Sequence, residues 1–222
     1  MSEWVEWHAQ YAEGTPLTQR LGIVQRLLRE ALDRCAPGPV RLISMCAGDG
    51  RDVLSVLEDH PRRADVHARL VELDPDLAAR ARSRAHGLST TVEVVNGDAS
   101  TTTAYAGAVP ADIALVCGVF GNISDADIRR TVDALPSLCA PDATVIWTRG
   151  AFAPDLTPSV RRWFAEAGFS EIAFEAVPDS TARVGADRLT SPPRPFEADV
   201  RLFGAFSRRS GASPPPPRRP SR

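Results

Sequence analysis

Residues 44–52 read Ser44-Met45-Cys46-Ala47-Gly48-Asp49-Gly50-Arg51-Asp52. The run Val40-Arg41-Leu42-Ile43 before them is strand-like, and Val53, Val56 and Leu57 after them share one face of a helix that stops at Pro61. The stretch predicts a strand that turns sharply into a helix. Gly48 and Gly50 permit positive φ and a close approach of backbone to a ligand. The helix N-terminus offers amide donors to a carboxylate or phosphate. Taken alone, the same turn is equally well a tight connection in which Asp52 complements the helix dipole.

The pattern repeats along the chain. Strand-like runs fall at 40–45, 67–73, 91–96, 112–117 and 143–148, each followed by helical periodicity or helix-start signals. Asp74-Pro75, Ser124 and Thr157-Pro158 mark helix starts, and Gly87 and Gly168 mark helix ends. A sixth strand is expected at 171–177 and a seventh at 199–206, with 178–198 as a long loop and no helix between the two. Parallel neighbours need a crossover, so these last two strands are predicted to be antiparallel. The fold predicted is an α/β, doubly wound, seven-stranded sheet, mostly parallel with an antiparallel last strand and helices on both faces. Residues 37–207 make this domain. Residues 1–36 form an N-terminal helical cap, with Trp4, Trp7, His8 and Tyr11 on one helical face and Leu17, Leu21, Val24, Leu28 and Leu32 on another. Residues 208–222, rich in Pro and Arg, form a disordered tail.

Composition excludes several functions. The net charge is -2, with 26 basic and 28 acidic residues, so no electrostatic case exists for nucleic acid. All the basic residues are arginine, which rules out lysine Schiff-base chemistry. The 4 cysteines, Cys35, Cys46, Cys117 and Cys139, lack C-x-x-C or metal-finger spacing, so no metal site is expected. No apolar run reaches the roughly 20 residues of a membrane span. The N-terminus lacks a signal-peptide pattern, and a cytoplasmic protein is expected.

In a doubly wound sheet, ligands sit beyond the carboxyl ends of the strands. The first strand ends in the glycine loop. The second ends in Val71-Glu72-Leu73-Asp74-Pro75, where Glu72 is placed to accept from a ribose diol. The third ends in Asn96-Gly97-Asp98-Ala99, where Asp98 could accept from an adenine amine while the Ala99 amide faces a ring nitrogen. The fourth ends in Cys117-Gly118-Val119-Phe120-Gly121-Asn122, suited to a loop under a nucleoside.

This combination resembles the class I S-adenosylmethionine-dependent methyltransferases, a Rossmann-like family. More narrowly, M-C-A-G-D-G-R-D, L-V-E-L-D-P and C-G-V-F-G-N-I resemble a bacterial branch of that family. The resemblance implies S-adenosyl-L-methionine as cofactor. It implies that the loop residues Ser44, Cys46, Ala47, Gly48, Asp49 and Gly50 lie against the methionine part. It implies that Glu72 and Leu73 meet the ribose, that Asp98 and Ala99 meet the adenine, and that Cys117 and Gly118 border the cofactor. Two positions depart from the family: Ser44 stands where an acid is common, and Cys46 where glycine is. Asp49 or Asp52 could replace the acid toward the cofactor's amino group.

Two other readings stand beside transfer to a small-molecule acceptor. One is a binding protein that holds the cofactor without transfer. The other is an NAD(P)-dependent oxidoreductase, whose fingerprint requires a third glycine where this chain has Val53. No D-P-P-Y-type motif or Pro-Cys nucleophile follows the fourth strand, so no catalytic residue is assigned. Candidate acceptor-side groups are Asn122, Trp147, Arg149, and Asp187 and Arg188 of the 178–198 loop. The N-terminal aromatic face is either a lid or a docking face. His8 is the one histidine considered as a base, because His60, His67 and His86 fall away from the strand ends.

Overall fold

The computed structural model describes residues 15–204 and 206. The predicted Trp4/Trp7/His8/Tyr11 helix and the predicted tail lie outside the described residues. Helix α1 (Pro16–Arg34) starts at Thr15, whose hydroxyl accepts the Thr18 amide at 3.3 Å, with Pro16 just inside. Its apolar stripe buries Val24, Leu27, Leu28, Ala31 and Leu32.

β1 (Val40–Met45) passes through the glycine loop into α2 (Arg51–Leu57), capped by Gly50 in the left-handed conformation. β2 (Val66–Glu72) leads to α3 (Pro75–Ala85), where the Asp74 carboxylate accepts the amides of Asp76 and Leu77. β3 (Thr91–Asn96) is followed by a 3-10 turn, Thr102–Tyr105, and then β4 (Ala111–Val116). The Ser124 hydroxyl caps α4 (Asp125–Ala134), and β5 (Cys139–Gly150), α5 (Thr157–Glu166), β6 (Phe169–Ala176) and β7 (Ala182–Leu189) complete the chain of elements.

The strands form one 7-stranded sheet in the order β3-β2-β1-β4-β5-β7-β6. β3, β2, β1, β4 and β5 are parallel, and β7 is antiparallel to both β5 and β6. The fold is the doubly wound sheet the sequence predicts. Helices α1, α2 and α3 cover one face around Leu28, Leu42, Leu54 and Leu70. Helices α4 and α5 cover the other around Ile43, Val116, Trp147 and Phe164. Each such side chain contributes ~1.5–3 kcal/mol by leaving water. The strand order reverses between β1 and β4, so the crevice opens at their carboxyl ends.

The seventh strand is not where the sequence predicts it. It occupies 182–189, inside the expected 178–198 loop, and inserts between β5 and β6. Two residues obscure its pattern. Gly185 lacks a side chain because Trp147 fills the space: an added Cβ would lie 2.2 Å from the indole. Asp187 is buried because it accepts the Trp147 Nε1 proton at 2.8 Å. In place of the strand predicted at 199–206, residues 199–204 form a strap along the loop after β3, joined to it by backbone hydrogen bonds on either side of one bridge, Thr101 to Arg201. Its apolar residues Leu202 and Phe203 are buried under the helices rather than in the sheet.

Candidate functional site

Three residues of the glycine loop adopt left-handed φ: Cys46 at 50°, Gly48 at 59° and Gly50 at 72°. That conformation is uncommon for cysteine, which is why glycine suits this position. A Cβ on Gly50 would lie 2.7 Å from Leu54 Cδ1 and 2.8 Å from Leu70 Cδ2. The Ala47 amide donates to Val71 O at 3.0 Å and the Gly50 amide to Ala47 O at 2.9 Å, so the loop is pinned to the end of β2.

Glu72 makes the second tie. Its Oε2 accepts the Gly48 amide and its Oε1 the Asp74 amide, both at 2.8 Å. Burial pushes its carboxyl above the usual range, opposed by those two amides. Asn96 locks the same turn by donating to Glu72 O at 3.0 Å and Leu73 O at 2.9 Å. Beside this buried carboxylate, Leu73 is 69% exposed, an apolar surface at the crevice edge.

The strand ends converge. Glu72 and Asp98 both act electrostatically on the Cys46 thiol, which burial raises far above its ordinary value. Asp98 is half exposed. Its Oδ1 accepts the Ser100 amide at 2.8 Å and its Oδ2 lies 3.3 Å from Arg201 Nη1. Burial raises its carboxyl, but Ser100 and Arg201 override this and hold it below the usual range. Ala99 is buried, and its carbonyl accepts the Tyr105 hydroxyl at 2.9 Å.

On the β4 side, Gly118 has φ of 72°, and an added Cβ would meet nothing within 4 Å, so it faces open space. Its amide donates to Thr148 Oγ1 at 2.8 Å and its carbonyl accepts from Asn122 at 2.6 Å. Arg149 is buried, donates to Phe120 O and approaches Asp125 at 4.0 Å. Asn122 and Arg149 thus brace the loop after β4. Cys117 approaches Ile146 O at 3.9 Å, and burial raises its thiol, as does the charge of Asp52.

The acids of the loop divide. Asp49 is buried and clasps Arg51 through two contacts at 2.8 and 2.6 Å. Asp52 is pushed up to about 6 by burial, offset by its own and the Val53 amides, with Asp49 raising it and Arg20 of α1 lowering it. Ser44 is 1% exposed within β1.

Other predicted acceptor-side groups are elsewhere. Trp147 sits in the core, stacked on Phe164 at 5.6 Å, with Asp187 as its partner. Arg188 lies 4.0 Å from Asp142, toward the opposite end of β5. His60, which the sequence already sets away from the strand ends, is buried with Nε2 3.4 Å from Asp33. Asn96, Tyr105, Thr148 and Arg201 escaped the sequence reading. Asn96 alone carried a signal, standing directly before Gly97-Asp98.

Two surface cavities lie away from this crevice. One of ≈ 580 Å³ lies between α4, α5 and the 191–194 segment, and one of ≈ 340 Å³ lies at the amino ends of β1–β3. Neither contains a residue of the strand-end cluster, and the topology marks the crevice more directly than cavity size does. Among the described residues no cluster of three His, Cys, Asp or Glu could hold a metal ion.

Known structures share this architecture. The magnesium protoporphyrin IX methyltransferase from Synechocystis PCC 6803, solved with bound SAM, matches with a TM-score of 0.65 at 12% identity, over 84% of this chain and 91% of that one. An O-methyltransferase family protein from Burkholderia thailandensis matches at 0.61 and 16% identity, over 77% of this chain and 55% of that one. The [4+2]-cyclase SpnF matches at 0.55 and 16% identity, over 78% and 81%. At these identities the likeness is one of fold. No curated protein matches the chain. The model of the family described as "Putative methyltransferase" matches residues 15–165, which span every strand end of the crevice. The chain belongs to that methyltransferase family.

Proposed function

We propose that the protein is a class I methyltransferase that uses S-adenosyl-L-methionine and acts on a small molecule. The observation that carries this reading is the Glu72 carboxylate, buried, gripped by the Gly48 amide, and flanked by the exposed Leu73. Each carboxylate oxygen keeps a second acceptor position, which suits a ribose diol. The Gly48 amide is used within the protein and is not directed at a phosphate, which argues against a dinucleotide. Val53 is fully buried where the dinucleotide fingerprint requires glycine.

The cofactor's donor set fits these residues. Glu72 takes the ribose hydroxyls, Asp98 the adenine amine, and Leu73 and Gly118 the flat faces of the nucleoside. Asp49 is clasped by Arg51, so Asp52, in electrostatic contact with Cys117, serves the cationic amino group. When bound, the cofactor supplies a methyl group on a sulfonium sulfur. The chain then has to hold the acceptor in line and keep water out. Gly118, fixed by Thr148 and Asn122, forms a rigid wall of the cofactor site. A cytoplasmic setting belongs to this reading, and among the described residues no helix is long and apolar enough to cross a membrane.

A second reading, cofactor binding without transfer, draws on the cyclase with this fold, because fold alone does not decide the reaction. The protein should be incubated with methyl-labelled cofactor and an extract of its own cells. Label in one extract component supports transfer and identifies the acceptor. Cofactor binding with no labelled component favours the second reading.

A further inference from the structure

The strap after β7 joins the far end of the chain to the β3 end of the crevice. Its anchors are apolar burial and hydrogen bonds that leave out the Arg201 side chain, among them the Thr103 hydroxyl donating to Asp199 Oδ1 at 2.5 Å and the Asp127 carboxylate accepting the Gly204 amide. Leu202 and Phe203 are buried, and the Thr131 hydroxyl of α4 donates to Leu202 O at 3.1 Å. The Thr102 amide donates to Val200 O at 3.0 Å, the Leu202 amide to Ser100 O at 2.8 Å, and the Thr102 hydroxyl to Glu197 O at 2.6 Å. These bonds fix Arg201 opposite Thr101 and direct its guanidinium along the loop toward Asp98.

Arg201 Nη1 donates to Ser100 Oγ at 2.6 Å and lies 3.3 Å from Asp98 Oδ2. The two side chains of that ion pair are 57% and 53% exposed, and exposed pairs contribute only ~0–1 kcal/mol to stability. The strap does not need the pair to stay in place. The effect of the pair falls on Asp98. With the Ser100 amide on one oxygen and Arg201 on the other, the carboxylate is held in one orientation. The Ser100 hydroxyl also bonds this carboxylate, so of its roughly four acceptor positions one is left for a donor from the crevice.

We propose that Arg201 is a positioning residue for purine recognition, fixing Asp98 so that its carboxylate accepts the exocyclic amine of the cofactor's adenine. This rests on the cofactor reading above. A side chain ordered before binding saves the entropy of ordering it on binding, roughly 0.5–1.5 kcal/mol for one side chain, or about three- to tenfold in affinity. The advantage exists only for a ligand that carries the amine.

The test is calorimetry with S-adenosylhomocysteine and its 6-deamino purine analogue on wild type, Arg201→Met, Arg201→Lys, Asp98→Ala and the Asp98→Ala/Arg201→Met double variant. Arg201→Met should weaken the adenosyl ligand about three- to tenfold and leave the deamino analogue unchanged. Arg201→Lys should recover part of the loss. In the Asp98→Ala background Arg201→Met should cost nothing further. Equal losses for both ligands would assign Arg201 a merely structural role and overturn the proposal, as would no loss with either. A wild-type protein that binds neither ligand overturns the cofactor reading itself, and this proposal with it.

Discussion

The Glu72 carboxylate accepts the Gly48 amide at 2.8 Å, tying the end of β2 to the middle of the glycine loop. The same side chain accepts the Asp74 amide, so one carboxylate sets the shape of two adjacent strand-end turns. Glu72→Ala removes the acceptor of both amides, and each amide left unpaired costs about 1–3 kcal/mol. We predict a lower melting temperature and at least a tenfold loss of S-adenosylhomocysteine affinity, read by thermal unfolding and calorimetry. An unchanged affinity would refute the ribose assignment.

Gly50 tests the turn independently of any ligand. With φ of 72° and Leu54 and Leu70 atoms within 3 Å of an added Cβ, alanine meets both strain and a clash. Gly50→Ala should destabilise the fold by about 1–3 kcal/mol in urea unfolding. Gly118→Ala, where a Cβ meets nothing within 4 Å, carries only the strain of its positive φ. It should cost less in stability than Gly50→Ala while interfering with ligand binding, because its methyl group enters the crevice.

Asp52 gives the site a pH dependence. Burial raises its carboxyl to about 6, so it is ionised at pH 7.5 and mostly protonated at pH 5. If it holds the cofactor's amino group, affinity is full well above that value and falls as pH drops through about 6. Titrations across this range should show that decline, and Asp52→Asn should flatten it. An unaltered profile in the variant would remove Asp52 from the amino-group role.

Asp187 governs stability rather than binding. Burial raises its carboxyl to about 7, while the Trp147 indole opposes the rise. Its folded value lies above its unfolded one, so the folded state holds the extra proton between about pH 4 and pH 7. Stability therefore falls as pH rises through that window, and the penalty of the buried charge is complete above it. Asp187→Asn keeps an oxygen acceptor for the indole and removes the charge. It should raise the melting temperature at pH 8, raise it less at pH 5, and change it little below about pH 4.

Local chemistry made most of the fold legible in the sequence. Asp74-Pro75, Ser124 and the glycines punctuate the elements where the structure does. Glu72 and Asp98 could be placed beside the glycine loop because parallel strands bring their carboxyl ends together. β7 was hidden because its two most informative positions answer to a distant residue. Gly185 makes room for Trp147, and Asp187 is buried to accept its proton. Leu202 and Phe203 imitated a strand because burial under helices needs the same apolar residues as a sheet. The partners of the site's backbone were hidden for a related reason. Thr148 lies 30 residues from Gly118 and Arg201 lies 103 from Asp98, separations over which no local pattern operates.

On the function proposed above, this crevice binds an adenosyl sulfonium cofactor and not a dinucleotide. Calorimetry on the full chain with S-adenosylhomocysteine and, separately, NADH tests it most directly. Saturable heat is expected with S-adenosylhomocysteine at one site per chain, and none with NADH. Saturation by NADH, with no heat from S-adenosylhomocysteine, would contradict it.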